Sequence, residues 1–131
     1  AHAGWRGTAA DIAGKTVAAM AALGADPANI HAAIGPNIGQ CCFETQSDVP
    51  EAMVKVLGGQ AEEFIASRGR SYYVDLKGVN KALLERAGVR HVEVSRLCTC
   101  CREDLFWSYR RTGDKRGSQG ALIQCRREAK A

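Results

Sequence analysis

The first seven residues of the chain carry a histidine, a tryptophan and an arginine, with glycines at positions 4 and 7. Because glycine adopts backbone conformations that are closed to other residues, His2 and Arg6 can both face one small ligand. A helix is predicted over residues 8–23, with Thr8 as its N-cap and Asp11 as a partner resembling a capping box. The free N–H groups at a helix start attract anions. This segment therefore predicts an anion site beside a metal or a general base.

The cysteines form a second set of reactive side chains, at positions 41, 42, 98, 100, 101 and 125. A structural zinc site usually takes two Cys-x-x-Cys pairs, and the chain offers one, Cys98 to Cys101. The adjacent pair Cys41-Cys42 is not expected to wrap a tetrahedral ion. A nucleophilic Cys-His pair is a further alternative, with His2 as the base and Cys42 or Cys98 as the nucleophile. Distance along the sequence neither supports nor excludes it. The sequence favours buried, unreactive thiols.

Composition limits the class of protein. The 131 residues predict one domain, residues 1–131, with 46% hydrophobic and 24% charged residues. No apolar run approaches the ~18 residues of a membrane span, so no membrane association is expected. The net charge is +4, and the basic residues accumulate in the last third of the chain. No motif that recognises nucleic acid accompanies them, so no nucleic-acid partner is expected. The adjacent cysteines favour reduced thiols and a cytoplasmic location.

The pattern of apolar residues predicts alternating helices and strands. Helices are expected at residues 8–23, 48–57, 60–67 and 77–87, and strands at 30–34, 71–76, 89–94 and 121–125. We expect His31 to be structural and His91 to lie on the exposed side of its strand. This order predicts an α/β or α+β fold, with mixed β-sheet layers flanked by helices.

Several motifs together identify a resemblance that spacing alone does not. They are HAGWRGT at positions 2–8, AIGPNIGQCCFE at 33–44, VDL at 74–76, AGV at 87–89, Cys98-Thr99, and FWSYRR at 106–111. In this order they resemble the YfiH/laccase-domain family, over nearly the whole chain. The resemblance implies that residues 1–131 form the C-terminal part of a larger YfiH-like α/β sandwich whose N-terminal part is absent. Thr112 departs from the aspartate expected after FWSYRR, and residues 115–118 depart from the Thr-Gly-Arg pattern of the family.

The family resemblance implies an enzyme that cleaves purine nucleosides with phosphate, with adenosine deaminase and methylthioadenosine phosphorylase activities. Its implied metal is zinc, bound by a histidine and a cysteine from earlier segments and by the histidine of HAGWRG, which is His2. His2 is thus the implied metal ligand and catalytic-site residue. Arg6, Arg110 and Arg111 can bind the phosphate, since guanidinium groups match its oxygens in a forked geometry. With two of three ligands missing, the isolated chain is predicted to be inactive or nearly so.

Two other functions stay open. The first is a zinc-stabilised, cysteine-rich binding module that uses Cys98, Cys101 and the Cys41-Cys42 pair. The second is a copper-dependent polyphenol oxidase, or laccase. That chemistry needs several coppers held by many histidines, and the chain has three histidines. The preferred nucleoside, the source of the missing ligands, the oligomeric state and the roles of the cysteines do not follow from the sequence.

Overall fold

The N-terminal region folds as two short helices instead of one long helix. A computed structural model describes residues 1–125, in which α1 spans Trp5–Ala9 and α2 spans Ile12–Ala22. Asp11 separates them in a left-handed conformation, at φ 53°, and its carboxylate accepts a hydrogen bond of 3.0 Å from the N–H of Gly14. Aspartate tolerates this conformation and is a favoured N-cap. The predicted single helix is therefore wrong at its start, where Asp11 is the cap of α2.

Thr8, which the sequence assigns to the N-cap, is a fully buried residue of α1. Its hydroxyl donates to the carbonyl of Ala3 at 3.2 Å and accepts from the carboxamide of Asn80 at 2.9 Å. The same carboxamide nitrogen donates to the carbonyl of Leu76 at 2.8 Å. Buried polar groups need such partners, so this network holds the N-terminal segment against the helix that contains Asn80.

The two central helices form close to their predicted positions. Helix α3 spans Asp48–Leu57 and α4 spans Leu76–Arg86. The carboxylate of Asp75 caps α4 by accepting from the N–H of Lys77 at 3.1 Å, and Gly88 follows the helix with φ at +96°. The helix predicted over residues 60–67 is wrong. A 3₁₀ helix spans Gly58–Phe64. Residues 65–68 then form a strand because they pair with residues 71–74.

Five short strands form two separate sheets. Strands β1 (His31–Ile34) and β5 (His91–Val94) pair in parallel. Strands β2 (Glu44–Thr45), β3 (Ile65–Arg68) and β4 (Ser71–Val74) form an antiparallel sheet in the order β2-β4-β3. The predicted α/β (α+β) class is confirmed, with parallel and antiparallel pairing divided between the two sheets. His31 and His91 are both exposed, lie opposite each other in register and stack with ring centroids 4.6 Å apart.

The main core lies where α3 and α4 pack against β4. Its largest fully buried apolar side chains come from these three elements: Met53, Val74, Val79 and Leu83. A smaller core beside the parallel sheet contains Val17, Ile30 and Val89. Burial of apolar area supplies most of the folding free energy, and here it fixes α4 as the element that both sheets share.

The last described segment departs from the prediction. A one-turn helix, α5, spans Tyr109–Thr112. The predicted strand over residues 121–125 does not form, and the side chains of Leu122 and Ile123 are 104% and 79% exposed, so no neighbouring strand covers them. The basic residues Arg126, Arg127 and Lys130 lie outside the described residues. None of the helices within residues 1–125 has the length and apolar character needed to cross a membrane.

The two methionines give a matched test of the main core. Met53 is fully buried, whereas Met20 is 40% exposed. We expect Met53→Ala to lower the free energy of unfolding by about 2–5 kcal/mol, because it leaves a cavity in the core. The same truncation at Met20 should cost less than about 1 kcal/mol. Urea unfolding of both variants checks this, and equal losses would contradict the assignment of Met53 to the core.

Candidate functional site

The N-terminal segment folds back on itself around its two glycines. A Cβ atom added at Gly4 would lie 3.2 Å from Nε2 of His2, and one added at Gly7 would lie 3.1 Å from the carbonyl oxygen of His2. Both contacts are closer than most real Cβ contacts. The glycines therefore allow the imidazole to lie against the backbone at the entrance of α1, where His2 itself is exposed.

Arg6 lies next to this histidine, in the first turn of α1, and is exposed. Its guanidinium carbon is 4.3 Å from the ring centroid of Trp5, which holds the cation over an aromatic face. Within residues 1–125 its side chain makes no hydrogen bond to protein. The N–H groups of Arg6 are thus available to an anion, and the imidazole of His2 and the guanidinium of Arg6 belong to the same short, exposed segment.

The other two predicted phosphate ligands hold loops in place. Arg110 donates through Nη1 to the carbonyls of Cys42 at 3.3 Å and Glu44 at 2.9 Å. Arg111 donates through Nη1 to the carbonyls of Thr99 and Cys100, and through Nη2 to that of Phe106 at 2.7 Å. Both side chains thereby tie the FWSYRR segment to the loops that carry the cysteines. Their binding of phosphate stays a prediction.

Four cysteines from two distant loops form one cluster, which we call the cysteine quartet. Their Sγ atoms all lie within 4.8 Å of one another: Cys41, Cys42, Cys98 and Cys101. The sulfur of Cys101 is 3.6 Å from that of Cys41 and 3.4 Å from that of Cys42, and all six cysteines are free thiols. Only Cys98 is buried, while Cys41 and Cys101 are exposed. The sequence-based preference for buried thiols is therefore wrong for Cys41 and Cys101, while the expectation that the thiols are unreactive stays a prediction.

A tight turn explains why the adjacent pair reaches one place. The carbonyl of Gly39 accepts from the N–H groups of both Cys42 and Phe43, each at 3.0 Å. In an extended strand, neighbouring side chains point to opposite faces, so two adjacent cysteines in a strand would not reach one point. In this turn both sulfurs approach Cys101. The Cys98-x-x-Cys101 spacing was the one sequence signal that pointed to this cluster.

Backbone N–H groups surround the sulfur of Cys98. The N–H of Gly39 donates to it at 3.1 Å, and a Cβ added at Gly39 would lie 3.2 Å from Cβ of Cys98, so this approach favours glycine. Burial alone would raise the pKa of Cys98, but hydrogen bonds from the backbone N–H groups of Gly39, Cys101 and Cys100 outweigh it and lower the pKa to about 6. Cys98 is therefore a thiolate at neutral pH.

The pKa values of two other members of the quartet, Cys41 and Cys42, shift in the opposite direction. Burial, followed by the hydrogen bond with Cys101, raises the pKa of both Cys41 and Cys42 above that of an ordinary thiol. Proximity of the sulfurs disfavours a second negative charge beside the first. In the absence of a bound cation, the thiolate of Cys98 thus lies beside the protonated thiols of Cys41 and Cys42.

A buried lysine holds the chain segment that directly precedes Cys98. Lys77 is 7% exposed, and its ammonium donates to the carbonyls of Ser95 at 2.9 Å and Leu97 at 2.7 Å. These bonds satisfy a cation that would otherwise be costly to bury, and they join α4 to the chain directly before Cys98. Lys77, Cys41 and Cys98 also line a cleft of about 460 Å³. Sequence reasoning gave Lys77 no role, since a lysine in a helix pattern is usually exposed.

His2 does not belong to the quartet. Within the described residues, the quartet is the one group of three or more histidine, cysteine or carboxylate ligands close enough to share an ion. A catalytic zinc site takes three protein ligands, and His2 supplies one. The residues described here therefore do not by themselves fit a zinc ion at His2.

Comparison with known proteins assigns the chain to a family. The family model described as multi-copper polyphenol oxidoreductase laccase matches residues 1–126. The chain belongs to this YfiH/laccase-domain family. The resemblance found in its motifs is thereby confirmed, and the curated relatives named as purine nucleoside phosphorylases confirm that it is a family of enzymes.

Two relatives and one solved structure illustrate the similarity. A purine nucleoside phosphorylase of Deinococcus radiodurans is 42% identical over 123 residues, covering 94% of this chain and 47% of that protein. Adenosine deaminase RL5, from an unknown prokaryotic organism, is 38% identical over 120 residues. The match covers 88% of this chain and 45% of that protein. The crystal structure of the Bacillus licheniformis hypothetical protein YfiH is 40% identical, with a TM-score of 0.81 over 85% of this chain and 43% of that one. This chain spans about half the length of the relatives it matches.

The shifted thiol of Cys98 makes the stability of the metal-free chain depend on pH. Unfolded Cys98 keeps its proton up to a pKa of about 9.0, whereas folded Cys98 loses it near pH 6. The unfolded state therefore binds more protons between these values, so stability should rise with pH across this window and be lost as the pH falls through about 6. Urea unfolding at pH 6 and pH 8, with a chelator present, checks this. Cys98→Ser should remove most of the rise and Cys125→Ser should keep it.

Proposed function

We propose that this chain is part of a zinc-dependent purine nucleoside phosphorylase that also has adenosine deaminase and methylthioadenosine phosphorylase activity. The observation that carries the proposal is the folded N-terminal segment, which presents His2 and Arg6 together on an exposed surface. The names of the relatives support the phosphorylase and deaminase activities. The methylthioadenosine activity is supported by the family resemblance alone.

In phosphorolysis a phosphate oxygen bonds to the anomeric carbon of the nucleoside, the glycosidic bond breaks, and the purine leaves with the bonding electron pair and takes up a proton. The enzyme must hold the phosphate monoanion or dianion against that carbon. Arg6 is suited to this, since its N–H groups are unused within residues 1–125 and can bind two phosphate oxygens. Arg110 and Arg111 each carry further N–H groups beyond those that bind carbonyls, and we propose them as additional phosphate ligands.

We propose His2 as one of three metal ligands, with the other two supplied by residues outside this sequence. The matched relatives are about twice as long as this chain, which leaves room for those ligands in the remainder of the protein. Within residues 1–125, His2 has no neighbouring ligands that would complete its metal site. By the same reasoning, the chain alone should not turn over nucleosides. Copper-dependent phenol oxidation is less supported, because His31 and His91 stack on each other and His2 belongs to no cluster of ligands within residues 1–125.

A chimeric enzyme tests the proposal. Residues 1–131 would replace the matching segment of the Deinococcus radiodurans purine nucleoside phosphorylase, to which they are 42% identical. We expect phosphate-dependent release of base from inosine and adenosine by the chimera, and none above background by the chain alone. His2→Ala should lower kcat/KM of the chimera by about 100-fold or more, since even residues that only orient a metal ligand cost 10–100-fold.

His91→Ala is the matched histidine control, as His91 is exposed and lies on the parallel sheet. It should leave the rate near that of the unsubstituted chimera. A folded chimera that is inactive, confirmed as folded by circular dichroism, would refute the proposal. So would turnover by the chain alone that survives His2→Ala.

Arg6 gives a separate test of phosphate binding. Arg6→Gln in the chimera should raise KM for phosphate by about tenfold or more, since a hydrogen bond to a charged group is worth about 1.5–3 kcal/mol. KM for inosine should change much less. Arg90→Gln is the control, because Arg90 is an exposed arginine outside the segment. Steady-state kinetics with varied phosphate decide it, and an unchanged KM for phosphate would exclude Arg6 from the phosphate site.

A further inference from the structure

We propose that the cysteine quartet binds one tetrahedral Zn²⁺ through four thiolates, as a structural site separate from His2. Nothing in the proposed nucleoside chemistry requires this site, and the inference does not rest on that chemistry. Its basis is the spacing of the sulfurs, the hydrogen bonds to Cys98, and the two loops that the quartet joins.

The spacing of the sulfur atoms matches a single tetrahedral ion. With zinc–sulfur bonds of about 2.3 Å, neighbouring sulfurs of a tetrahedron lie about 3.8 Å apart. The sulfur of Cys101 is 3.4 Å from that of Cys42 and 3.6 Å from that of Cys41, and all four sulfurs lie within 4.8 Å of one another. An ion at the centre would therefore need only small movements of the side chains. No disulfide competes for these sulfurs, since all are free.

A backbone hydrogen bond holds the sulfur of Cys98, and the Cys98-x-x-Cys101 spacing is that of a zinc knuckle. The sulfur accepts from the N–H of Gly39 on the facing loop at 3.1 Å. Such N–H groups stabilise negative charge on sulfur and orient it, as outer partners of metal ligands do. The turn around Gly39 then brings Cys41 and Cys42 to the same point.

The donor set selects the metal. Four thiolates in a tetrahedron suit zinc or iron, whereas hard cations such as Mg²⁺ and Ca²⁺ take oxygen ligands. An iron–sulfur cluster places several metal ions and sulfides between its cysteines, so it needs sulfurs farther apart than those of the quartet. Of the single ions, zinc needs no redox partner and closes its four positions with protein ligands, which is the arrangement of a structural site.

The location of the quartet explains what a bound ion would do. Residues 39–42 connect β1 to β2, and residues 98–101 follow β5, so the ion would join loops about 60 residues apart in the chain. Arg110 and Arg111 donate to carbonyls of these same two loops. The ion would therefore fasten the C-terminal segment, including α5, to the body of the fold.

Metal analysis of the complete 131-residue chain, purified in reducing buffer and loaded with Zn²⁺, tests the proposal. We expect one zinc per chain, and on replacement with Co²⁺ the intense thiolate-to-cobalt absorption and visible bands of tetrahedral thiolate coordination. Cys101→Ser and Cys98→Ser should each weaken zinc binding by about 100-fold or more in competition with a chromogenic chelator. Since Cys98 is buried and its substitution can unfold the chain, the exposed Cys101 and Cys41 are the deciding positions.

Three variants serve as controls and should retain one zinc per chain. Cys100→Ser removes a thiol from the same loop outside the quartet, Cys125→Ser removes a distant thiol, and His2→Ala removes the proposed catalytic ligand. The proposal is overturned by substoichiometric zinc in the unsubstituted chain, by iron as the tightly held metal, or by zinc lost with His2→Ala but kept with Cys101→Ser. Inactivity of the chimera with zinc retained by the chain would refute the proposed function and leave this site standing.

Discussion

The buried hydrogen bond between Asn80 and Thr8 determines where the candidate site lies. The carboxamide of Asn80, in the middle of α4, donates to the Thr8 hydroxyl and to the carbonyl of Leu76. Thr8 in turn donates to Ala3, one residue after His2. Removing one partner of a buried pair leaves the other unsatisfied at a cost of about 1–3 kcal/mol. The position of the His2 and Arg6 segment thus depends on the packing of α4 against α3 and β4.

Helix α4 also links that segment to the cysteine quartet. Its first turn contains Lys77, whose ammonium holds the carbonyls directly before Cys98, and its middle contains Asn80. Two residues of one helix, three positions apart, therefore hold two sets of polar groups with different chemistry. The N-terminal segment presents an imidazole and an unpaired guanidinium at the surface. The quartet collects soft sulfur ligands, which suits a closed metal site better than binding of a phosphate.

The sequence predicts the helices and strands that have strong local signals. It fails where contacts between residues far apart in the chain determine the local structure. Helix α4 is evident from Val79, Leu83 and Gly88, and β1 from its apolar run before Gly35. The break at Asp11 is missed because it depends on the burial of Thr8 against Asn80, a contact between residues 72 positions apart. The sequence names the four cysteines of the quartet only in an open alternative, and it does not show that their sulfurs meet. Cys98-x-x-Cys101 is visible in the sequence, but the turn that brings Cys41 and Cys42 to it depends on the hydrogen bonds of Gly39.

The contacts that Arg110 and Arg111 make with the cysteine loops have a consequence for folding kinetics. The bonds of Arg110 reach residues 66 and 68 positions earlier in the chain, whereas those of Arg111 span 12 positions or fewer. Because contacts between distant residues are costly to close, we expect the bonds of Arg110 to form late in folding. Interactions that appear late in folding slow unfolding more than they speed folding. We therefore expect Arg110 to act mainly on the lifetime of the native state, and its loss to shorten the time before the C-terminal segment separates from the loop that carries Cys42.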